Sequence, residues 1–256
     1  MNPGLVTVNG LRIVPVSTHI KPAIIISPEK RRTDSTAIAN ALRQALEQRP
    51  DIVILPEYAR YVRREGQIPE ALAADIRKSL KETKTLVVDS EPGYQNLNGG
   101  HPSIILIDGE SGEVLKRQHK RYLIPLGEFL PYFVERALRL FGLGPTIDVV
   151  RENRTYAPSL ESYASRVVEW HGIKFAALLC SESFSPFGYR SVSDGGADVL
   201  INLASHAFFR ERSSIIFGET LAMALVHSAF TGKVYVQATN YGPSLAIYPR
   251  GKVPAP

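Results

Sequence analysis

The amino-acid sequence predicts an α/β fold, with either one large mixed sheet or two packed sheets flanked by helices. Apolar residues at helical spacing alternate along the chain with short runs of continuous apolar residues, which is the pattern of strand–helix–strand units. Other strand pairs are separated only by short turns, which indicates hairpins. The 256 residues, 44% of them hydrophobic, suffice for one large α/β domain or two small ones.

The first half of the chain supplies two helices, each followed by a buried strand. Ile38, Leu42 and Leu46 recur at helical spacing before Pro50, and the short apolar run DIVIL that follows is typical of a buried strand. The elements predicted here are strands at 11–16 and 23–26, a helix from a cap at Thr33, Asp34 or Ser35 to about Gln48, a strand at 51–55, a helix from Pro69 and a strand at 85–88.

The second half supplies the hairpins and further buried strands. The predicted elements are hairpins of 103–108 with 113–118 and of 166–170 with 173–179, a strand at 198–203, a helix at 217–229, and strands at 234–239 and 244–248. Pro186 is expected to stop any helix that follows the second hairpin.

The composition excludes several kinds of site. Cys180 is the only cysteine, which rules out an internal disulfide framework and a cysteine-rich metal site. The six histidines show no ligand spacing, and the sequence predicts neither a metal nor a cofactor. The net charge of +5 comes without an aromatic-interleaved basic motif, which argues against a nucleic-acid partner. The short basic groups belong either to solvated loops or to a face attracted to an anionic membrane surface.

Two residues with reactive side chains lie just past predicted buried strands, where open α/β sheets place their functional groups. Glu57 follows the strand at 51–55, and Cys180 ends the apolar run at 173–179. A lone cysteine in this position is either simply buried or a reactive thiol. With a carboxylate to accept its proton and an ammonium such as Lys120 to stabilise negative charge, the thiol would suit acyl transfer through a thioester. Spacing alone does not select these partners.

Four segments resemble motifs of the nitrilase, or carbon–nitrogen hydrolase, superfamily. LPE at 55–57 resembles its glutamate motif, KRYLIPLGEFLP at 120–131 its lysine motif, and CSE at 180–182 its cysteine motif. The lysine segment and ATNYGPSLAIYPRGKV at 238–253 look most like the apolipoprotein N-acyltransferase branch. The segments occur in the order of the family and cover most of the chain.

The resemblance implies a four-layer α-β-β-α sandwich formed by residues 1–256 as a single domain. In it, Cys180 would be the nucleophile and Glu57 the general base. Lys120 would stabilise the tetrahedral oxyanion, helped by the backbone N–H of Ser181.

The resemblance assigns supporting roles to further residues. Glu128 and Glu182 match carboxylates that would position Lys120 and set the local charge, although both are also explained as ordinary carboxylates at loop ends. The predicted substrate wall consists of Tyr58, Ser205, His206 and Phe208. Residues 205–209 read SHAFF where the acyltransferase branch has an Asn-Asp-Ala-Trp-Phe-like run, so this wall differs in chemistry.

Residues 130–162 are expected to form a surface arm, with apolar residues crowded between 130 and 143. Such a segment is either a packed loop excursion, or a lid or arm that contacts a membrane surface. The fold of the family usually continues past the point where this chain stops, which predicts either an excised domain with a truncated C-terminal end or a shortened relative.

Three functions remain open at this stage. The first is acyl transfer, in which a phospholipid acyl chain passes to Cys180 and then to an α-amino group. The second is a soluble amidase, in which water attacks the thioester formed from a small amide. The third is a non-catalytic binding module. The printed chain has no signal peptide and no apolar run of the roughly 20 residues that cross a bilayer, which predicts a cytoplasmic protein. If the chain is excised from a membrane enzyme, we expect the extracytoplasmic face of a bacterial membrane. The oligomeric state is not predicted.

Overall fold

Two packed β-sheets form the centre of the molecule. The computed structural model describes residues 4–20, 27–92, 101–124, 128, 131–145, 147–148, 158–207 and 213–249. The described strands of the first sheet follow chain order: β1 (Val6–Val8), β2 (Leu11–Pro15), β3 (Ile52–Ile54), β4 (Leu86–Glu91), β5 (Ser103–Asp108) and β6 (Val114–His119). Those of the second are ordered β11 (Leu245–Ile247), β10 (Val234–Asn240), β9 (Val199–Ser205), β8 (Ile173–Leu179) and β7 (Val168–Trp170).

Helices cover the outer face of each sheet, which gives the four layers α-β-β-α. The described α-helices are α1 (Pro28–Leu46), α2 (Tyr61–Arg64), α3 (Glu70–Thr83), α4 (Tyr132–Leu140), α5 (Pro186–Asp194) and α6 (Ser213–Thr231). Helices α1 and α3 pack through Leu42 and Ile76 on the first sheet, and α5 packs through Tyr189 on the second. A third apolar cluster, which includes Ile54 and Phe175, fills the space between the sheets. Each such buried side chain stabilises the fold by about 1.5–3 kcal/mol.

The strand directions bring three chain segments to one end of the sandwich. Strands β2, β3 and β4 are parallel to one another, as are β8, β9 and β10. Strand β6 runs with β4, because both are antiparallel to β5. A parallel bridge between Thr18 and Asn240 joins the two sets, so their carboxyl ends meet. The residues that follow β3, β6 and β8 therefore lie at the same end.

The side chain of Asn240 fastens the two sheets together at that end. Its Oδ1 accepts a hydrogen bond from the Ile20 N–H at 2.8 Å, and its Nδ2 donates to the Ile20 carbonyl at 2.8 Å. The same Nδ2 donates to Ser205 Oγ at 3.1 Å. A fully buried amide with this many partners fixes the relative position of the segments that carry it.

Two boundary predictions are wrong, and both concern proline. Helix α1 begins at Pro28, where the Ser27 hydroxyl accepts a hydrogen bond from the Lys30 N–H, and not at residues 33–35. Pro186 does not stop a helix but opens α5, and Ser185 caps it by accepting from the Gly188 N–H at 3.3 Å. Proline lacks only an N–H that the first turn of a helix leaves unpaired in any case. The strand predicted at 23–26 lies outside the described residues.

The predicted arm contains a helix, α4, that has no fully buried residue. No residue of α4 is buried, and Phe133, Leu140 and Phe141 are 74%, 82% and 81% exposed. Later in the arm, by contrast, Ile147 is buried, and the Ser159 N–H donates to the Lys120 carbonyl at 2.9 Å. The arm thus packs beside Lys120 at its later end and presents apolar side chains at its earlier end.

Candidate active site

Cys180 lies where β8 ends and a short 3₁₀ turn, Cys180–Phe184, begins. Its φ of +49° is in the left-handed region, which costs a non-glycine residue roughly 1–2 kcal/mol. The side chain is partly exposed, although the strand before it is buried. The turn therefore places Cys180 at the end of a covered strand, beside the residues that follow β3 and β6.

Glu57 and Lys120 are the charged neighbours of this sulfur. The Glu57 carboxyl and the Cys180 thiol are close enough to shift each other's pKa, and the Lys120 ammonium acts on the pKa of both. Lys120 is completely buried, and its Nζ lies 2.5 Å from Oε1 of Glu128. The structure thus groups an acid, an amine and a thiol that are widely separated in sequence.

The environment keeps the lysine charged and the thiol protonated. Burial lowers the pKa of Lys120, but Cys180, Glu57 and Glu128 outweigh this effect, so its pKa is raised. Burial and then the Glu57 carboxylate raise the pKa of Cys180, against the opposing effects of Lys120 and a hydrogen bond from the Ser205 backbone. Burial also raises the pKa of Glu57, although Lys120 and Cys180 work against that shift. A carboxylate with a raised pKa is a better proton acceptor for a neutral thiol.

Glu128 connects the lysine to the nucleophile turn. Its Oε1 binds Lys120, and its Oε2 accepts from the Ile124 N–H at 2.8 Å. The Ser181 hydroxyl donates to the Tyr122 carbonyl at 3.0 Å and lies 3.5 Å from Oε2 of Glu128. One carboxylate therefore neutralises the buried ammonium and holds the loop after β6 against residue 181.

Glu182 also joins the segment that carries Lys120 to the turn of Cys180, and it forms a fully buried ion pair with Arg166. Arg166 Nη1 lies 3.0 and 2.9 Å from its two carboxylate oxygens, and the pair is 1% and 0% exposed. Glu182 also accepts from the Arg121 N–H at 2.8 Å and from the Leu179 N–H at 2.9 Å. The guanidinium of Arg166 also bonds the His119 carbonyl. The pair therefore ties the start of the Lys120 segment to the turn of Cys180.

The loop that carries Glu57 is fixed by Asp89. This buried carboxylate accepts from the N–H groups of Arg60 at 3.1 Å and Val62 at 3.4 Å. Tyr58 and Arg60 have φ angles of +73° and +51°, so the loop is held in a conformation that its residues do not prefer. Together with Glu57, these two residues line a cleft at the end of the sheets.

The predicted substrate wall is described only in part. Tyr58 lines the cleft, and the Ser205 backbone reaches Cys180. His206 is 2% exposed, with Nε2 at 3.5 Å from the Thr220 hydroxyl and its ring covered by Gly242. Phe208 lies outside the described residues. The contribution of these residues to substrate binding stays a prediction.

Three residues with clear roles in shaping the site were not predicted from the sequence. Arg166 was identified only as the start of a strand, and Asp89 and His227 were not identified as site residues. Each is buried and acts through backbone groups or an ion pair, so its role depends on contacts that have no sequence spacing. The sequence offers one signal for such a residue, which is a charged side chain inside an apolar strand run, as at Asp89 in β4.

A match to a protein-family model establishes the family of this chain. The family model described as carbon-nitrogen hydrolase matches residues 31–255. The chain belongs to the carbon-nitrogen hydrolase family. The nitrilase-superfamily resemblance of its motifs is thereby confirmed.

Curated relatives of this carbon-nitrogen hydrolase are named apolipoprotein N-acyltransferase. The protein from Brucella suis biovar 1 is 27% identical over 264 residues, which cover 98% of this chain and 46% of the relative. The protein from Aquifex aeolicus is 23% identical over 250 residues, which cover 97% of this chain and 52% of the relative. The chain therefore spans about half the length of the curated relatives it matches.

Solved structures of amidases share the fold. An amidase from Nesterenkonia sp. AN1, in which acrylamide has added to the active-site cysteine, has a TM-score of 0.63 at 18% identity, with 95% of this chain and 87% of that chain covered. A further crystal structure of an amidase from Nesterenkonia sp. has a TM-score of 0.64, also at 18% identity, with 97% and 86% covered. At this identity the likeness establishes the four-layer fold of the carbon-nitrogen hydrolase.

The described residues of this carbon-nitrogen hydrolase form neither a metal-binding cluster nor a membrane-spanning helix. Those residues contain no group of three or more His, Cys, Asp or Glu side chains that could hold a metal ion. None of the helices they form is long and apolar enough to cross a membrane.

Proposed function

We propose that this chain carries out cysteine-dependent acyl transfer through a thioester intermediate, like the N-acyltransferases that its sequence resembles. The observation that carries the proposal is that the Glu57 carboxyl, the Cys180 thiol and the buried Lys120 ammonium meet at one end of the sheets, close enough to shift one another's pKa. An acid–base group within hydrogen-bonding reach of a nucleophile is the arrangement that covalent catalysis requires.

In the first half-reaction, Glu57 takes the thiol proton while the sulfur of Cys180 attacks the carbonyl carbon of an ester. The resulting tetrahedral oxyanion is stabilised by Lys120 and by the backbone N–H of Ser181. As the intermediate collapses, the bond from carbon to the leaving oxygen breaks, and Glu57 returns the proton to the departing alcohol. The products are the free alcohol and an acyl thioester on Cys180.

In the second half-reaction, an α-amino group attacks the thioester. Glu57 accepts a proton from the attacking nitrogen, the carbon–sulfur bond breaks, and the Cys180 thiolate takes the proton back. The product is an amide, and the free thiol is restored. If water replaces the amine, the same steps give hydrolysis.

The supporting residues keep this group in place without touching the substrate. Glu128 Oε1 lies 2.5 Å from the Lys120 ammonium. The Arg166–Glu182 pair fixes the backbone on both sides of Lys120. Preorganised charges of this kind stabilise a transition state because they need no reorganisation during the reaction.

The acyl donor in this proposal is a phospholipid, and α4 provides a surface for it. Tyr132 and Phe133 at its start and Leu140 at its end are exposed to 75%, 74% and 82%. A helix with apolar side chains in solvent and arginines among them suits the boundary between lipid headgroups and acyl chains, where anionic lipids attract basic residues. This contact would bring the cleft to its water-insoluble donor.

The test is to identify which donor acylates Cys180. The protein is incubated separately with phospholipid vesicles and with small amides, and its intact mass is measured over time. An adduct of one acyl chain from phospholipid supports the transferase, and its transfer to an added α-amino peptide completes the reaction. Cys180→Ser is the matched control, because no other thiol exists in the chain.

The same measurement shows how the proposal fails. Turnover of amides without acylation by phospholipid would replace the transferase by a hydrolase. An unreactive thiol with no adduct from either donor would indicate that the protein is a non-catalytic binding module on this fold.

A further inference from the structure

The cleft beside Glu57 contains a buried hydroxyl that has no partner. Ser90 is 2% exposed, and within the described chain its Oγ makes no hydrogen bond. Side chains alternate along β4, so Ser90 lies on the same face as Leu86 and Val88, which pack between the two sheets. Ser90 also lines the cleft with Glu57. A buried unpaired hydroxyl destabilises the empty cleft, and a ligand that accepts a hydrogen bond from it would remove that cost.

The carboxylates around the cleft are already compensated. Glu128 binds Lys120, and Glu91 binds Arg117 at 2.9 Å. The Glu57 carboxyl faces both Lys120 and the Cys180 thiol. A further cation nearby also lowers the pKa of Glu57, but it contributes less than Lys120 and Cys180 do.

Arg60 is that further cation. It lines the cleft, its guanidinium lies 4.9 Å from the centre of the Tyr58 ring, and no carboxylate of the described residues forms an ion pair with it. Its backbone is fixed by Asp89, whose Oδ1 accepts from the Arg60 N–H at 3.1 Å. The φ of +51° at Arg60 shows that this position is imposed by the surroundings. A guanidinium that makes no ion pair presents a fork of donors that matches the oxygens of a phosphate or carboxylate.

We propose that Arg60 and Ser90 form an anion subsite that binds the phosphate diester of the acyl donor beside Glu57. The subsite deepens the proposed acyl transfer and rests on it for the identity of the donor. A phosphate diester supplies one negative charge for Arg60 and acceptor oxygens for the Ser90 hydroxyl. A small uncharged amide supplies no such charge, so this subsite favours a phospholipid donor over a small amide.

Binding is measured in the Cys180→Ser background, which separates the subsite from turnover. The probe is dihexanoylphosphatidylglycerol below its micelle concentration, titrated by calorimetry, and dihexanoylglycerol serves as the uncharged comparison. We expect Arg60→Gln to weaken binding of the phospholipid about tenfold or more, since hydrogen bonds to charged groups contribute about 1.5–3 kcal/mol. Binding of the uncharged lipid should change by less than about twofold, because it lacks the group that Arg60 would hold.

Two further variants sharpen the result. Ser90→Ala should weaken phospholipid binding by about threefold to tenfold and leave the melting temperature of the free protein unchanged or raised, because the hydroxyl it removes has no partner. Arg43→Gln, which removes an exposed arginine paired only with Glu47 on α1, should change neither.

Each other outcome overturns the subsite. Equal loss for both lipids in Arg60→Gln would assign Arg60 to loop structure, and a lower melting temperature in Ser90→Ala would give the hydroxyl a structural partner. Inorganic phosphate that binds as tightly as the phospholipid would replace the lipid headgroup by free phosphate as the ligand. Failure of the proposed function is seen separately, as absence of an acyl adduct on Cys180 in the unmodified chain.

Discussion

The Nε2 nitrogen of His227 lies 2.6 Å from the carbonyl oxygen of Ser183. Because a carbonyl only accepts, Nε2 carries the proton and donates it. The imidazole is 2% exposed and lies beside the rings of Tyr189 and Tyr235, at centroid distances of 4.3 and 6.2 Å. Helix α6 therefore braces, through one side chain, the turn that begins at Cys180.

Removal of this donor should slow the chemistry of Cys180 without removing any group that contacts the substrate. We expect His227→Leu to reduce the rate of acylation of Cys180 at least about tenfold, since an unsatisfied buried carbonyl costs about 1–3 kcal/mol and lets the turn shift. His227→Gln retains an N–H near the same place and should recover most of the rate. The measurement is the acylation rate by intact mass, with KM and kcat separated. Equal rates in the two variants would contradict a positioning role.

The proposed nucleophile and oxyanion partner should each be indispensable. Cys180→Ser and Lys120→Ala should each lower turnover by a factor of about 10² or more, because the first removes the thiol and the second removes the charge that stabilises the oxyanion. Thermal unfolding of both variants shows whether the fold is intact, which matters for Lys120 because Glu128 loses its buried partner. Near-normal turnover in either folded variant would remove the proposed mechanism.

The reactivity of Cys180 should depend on pH in a way that reports its surroundings. Burial, and then the Glu57 carboxylate, raise the pKa of this thiol above its ordinary value. The thiolate fraction should therefore keep increasing beyond the pKa of about 8.5 of a free cysteine, and alkylation by iodoacetamide should accelerate up to about pH 10. Intact mass at a series of pH values measures this directly, with Cys180→Ser as the blank. A plateau below about pH 8 would show a lowered pKa and contradict the arrangement.

Removal of one partner from the buried pair of Arg166 and Glu182 should destabilise the fold strongly, because the other partner then remains as an uncompensated buried charge. Arg166→Met leaves an uncompensated carboxylate and should lower the free energy of unfolding by about 3–5 kcal/mol in urea denaturation. Adding Glu182→Gln removes that charge and should restore part of the loss. The exposed pair of Arg43 and Glu47 is the control, where the same kind of change should cost less than about 1 kcal/mol. Additive losses in the Arg166/Glu182 double variant would mean that the pair is not coupled.

The sequence predicts most of the described strands well because they depend on local patterns. The short apolar runs before Glu57 and Cys180 mark strand ends, and parallel strands bring such ends to one side. The contacts of Arg166 and His227 are different. Glu182 is 16 residues from Arg166, and Ser183 is 44 residues from His227, so only the packing of α6 and the register of the loops bring each pair together.

The prolines show the same limit at the level of single elements. Pro186 breaks a helix if it falls inside one and opens a helix if it falls at the first position, and the sequence pattern there fits both. Pro186 opens a helix here because the Ser185 hydroxyl accepts a hydrogen bond from the Gly188 N–H and so caps the first turn. Likewise, Ser27 and Pro28 compete with the capping residues at 33–35. The turn that the earlier start adds is exposed, and it is held by the Ser27 cap and by the ion pair of Lys30 with Asp34.

The exposed face of α4 should matter only when the donor is a membrane. Replacing Phe133 and Leu140 together by Glu puts two negative charges where 74% and 82% exposed apolar side chains now stand. No residue of this helix is buried, so the melting temperature should be unchanged. We expect binding to phospholipid vesicles, measured by co-sedimentation, to fall at least about tenfold, because each lost apolar contact and each repelled charge weakens adsorption by about 1 kcal/mol. Acylation by a water-soluble ester should be unaffected. Phe230→Glu also replaces an exposed apolar side chain by a carboxylate, at a 67% exposed position on α6, and serves as the control. Equal loss of vesicle binding in the control would show a general charge effect, and no loss in the α4 variant would mean that lipid approaches the cleft by another surface.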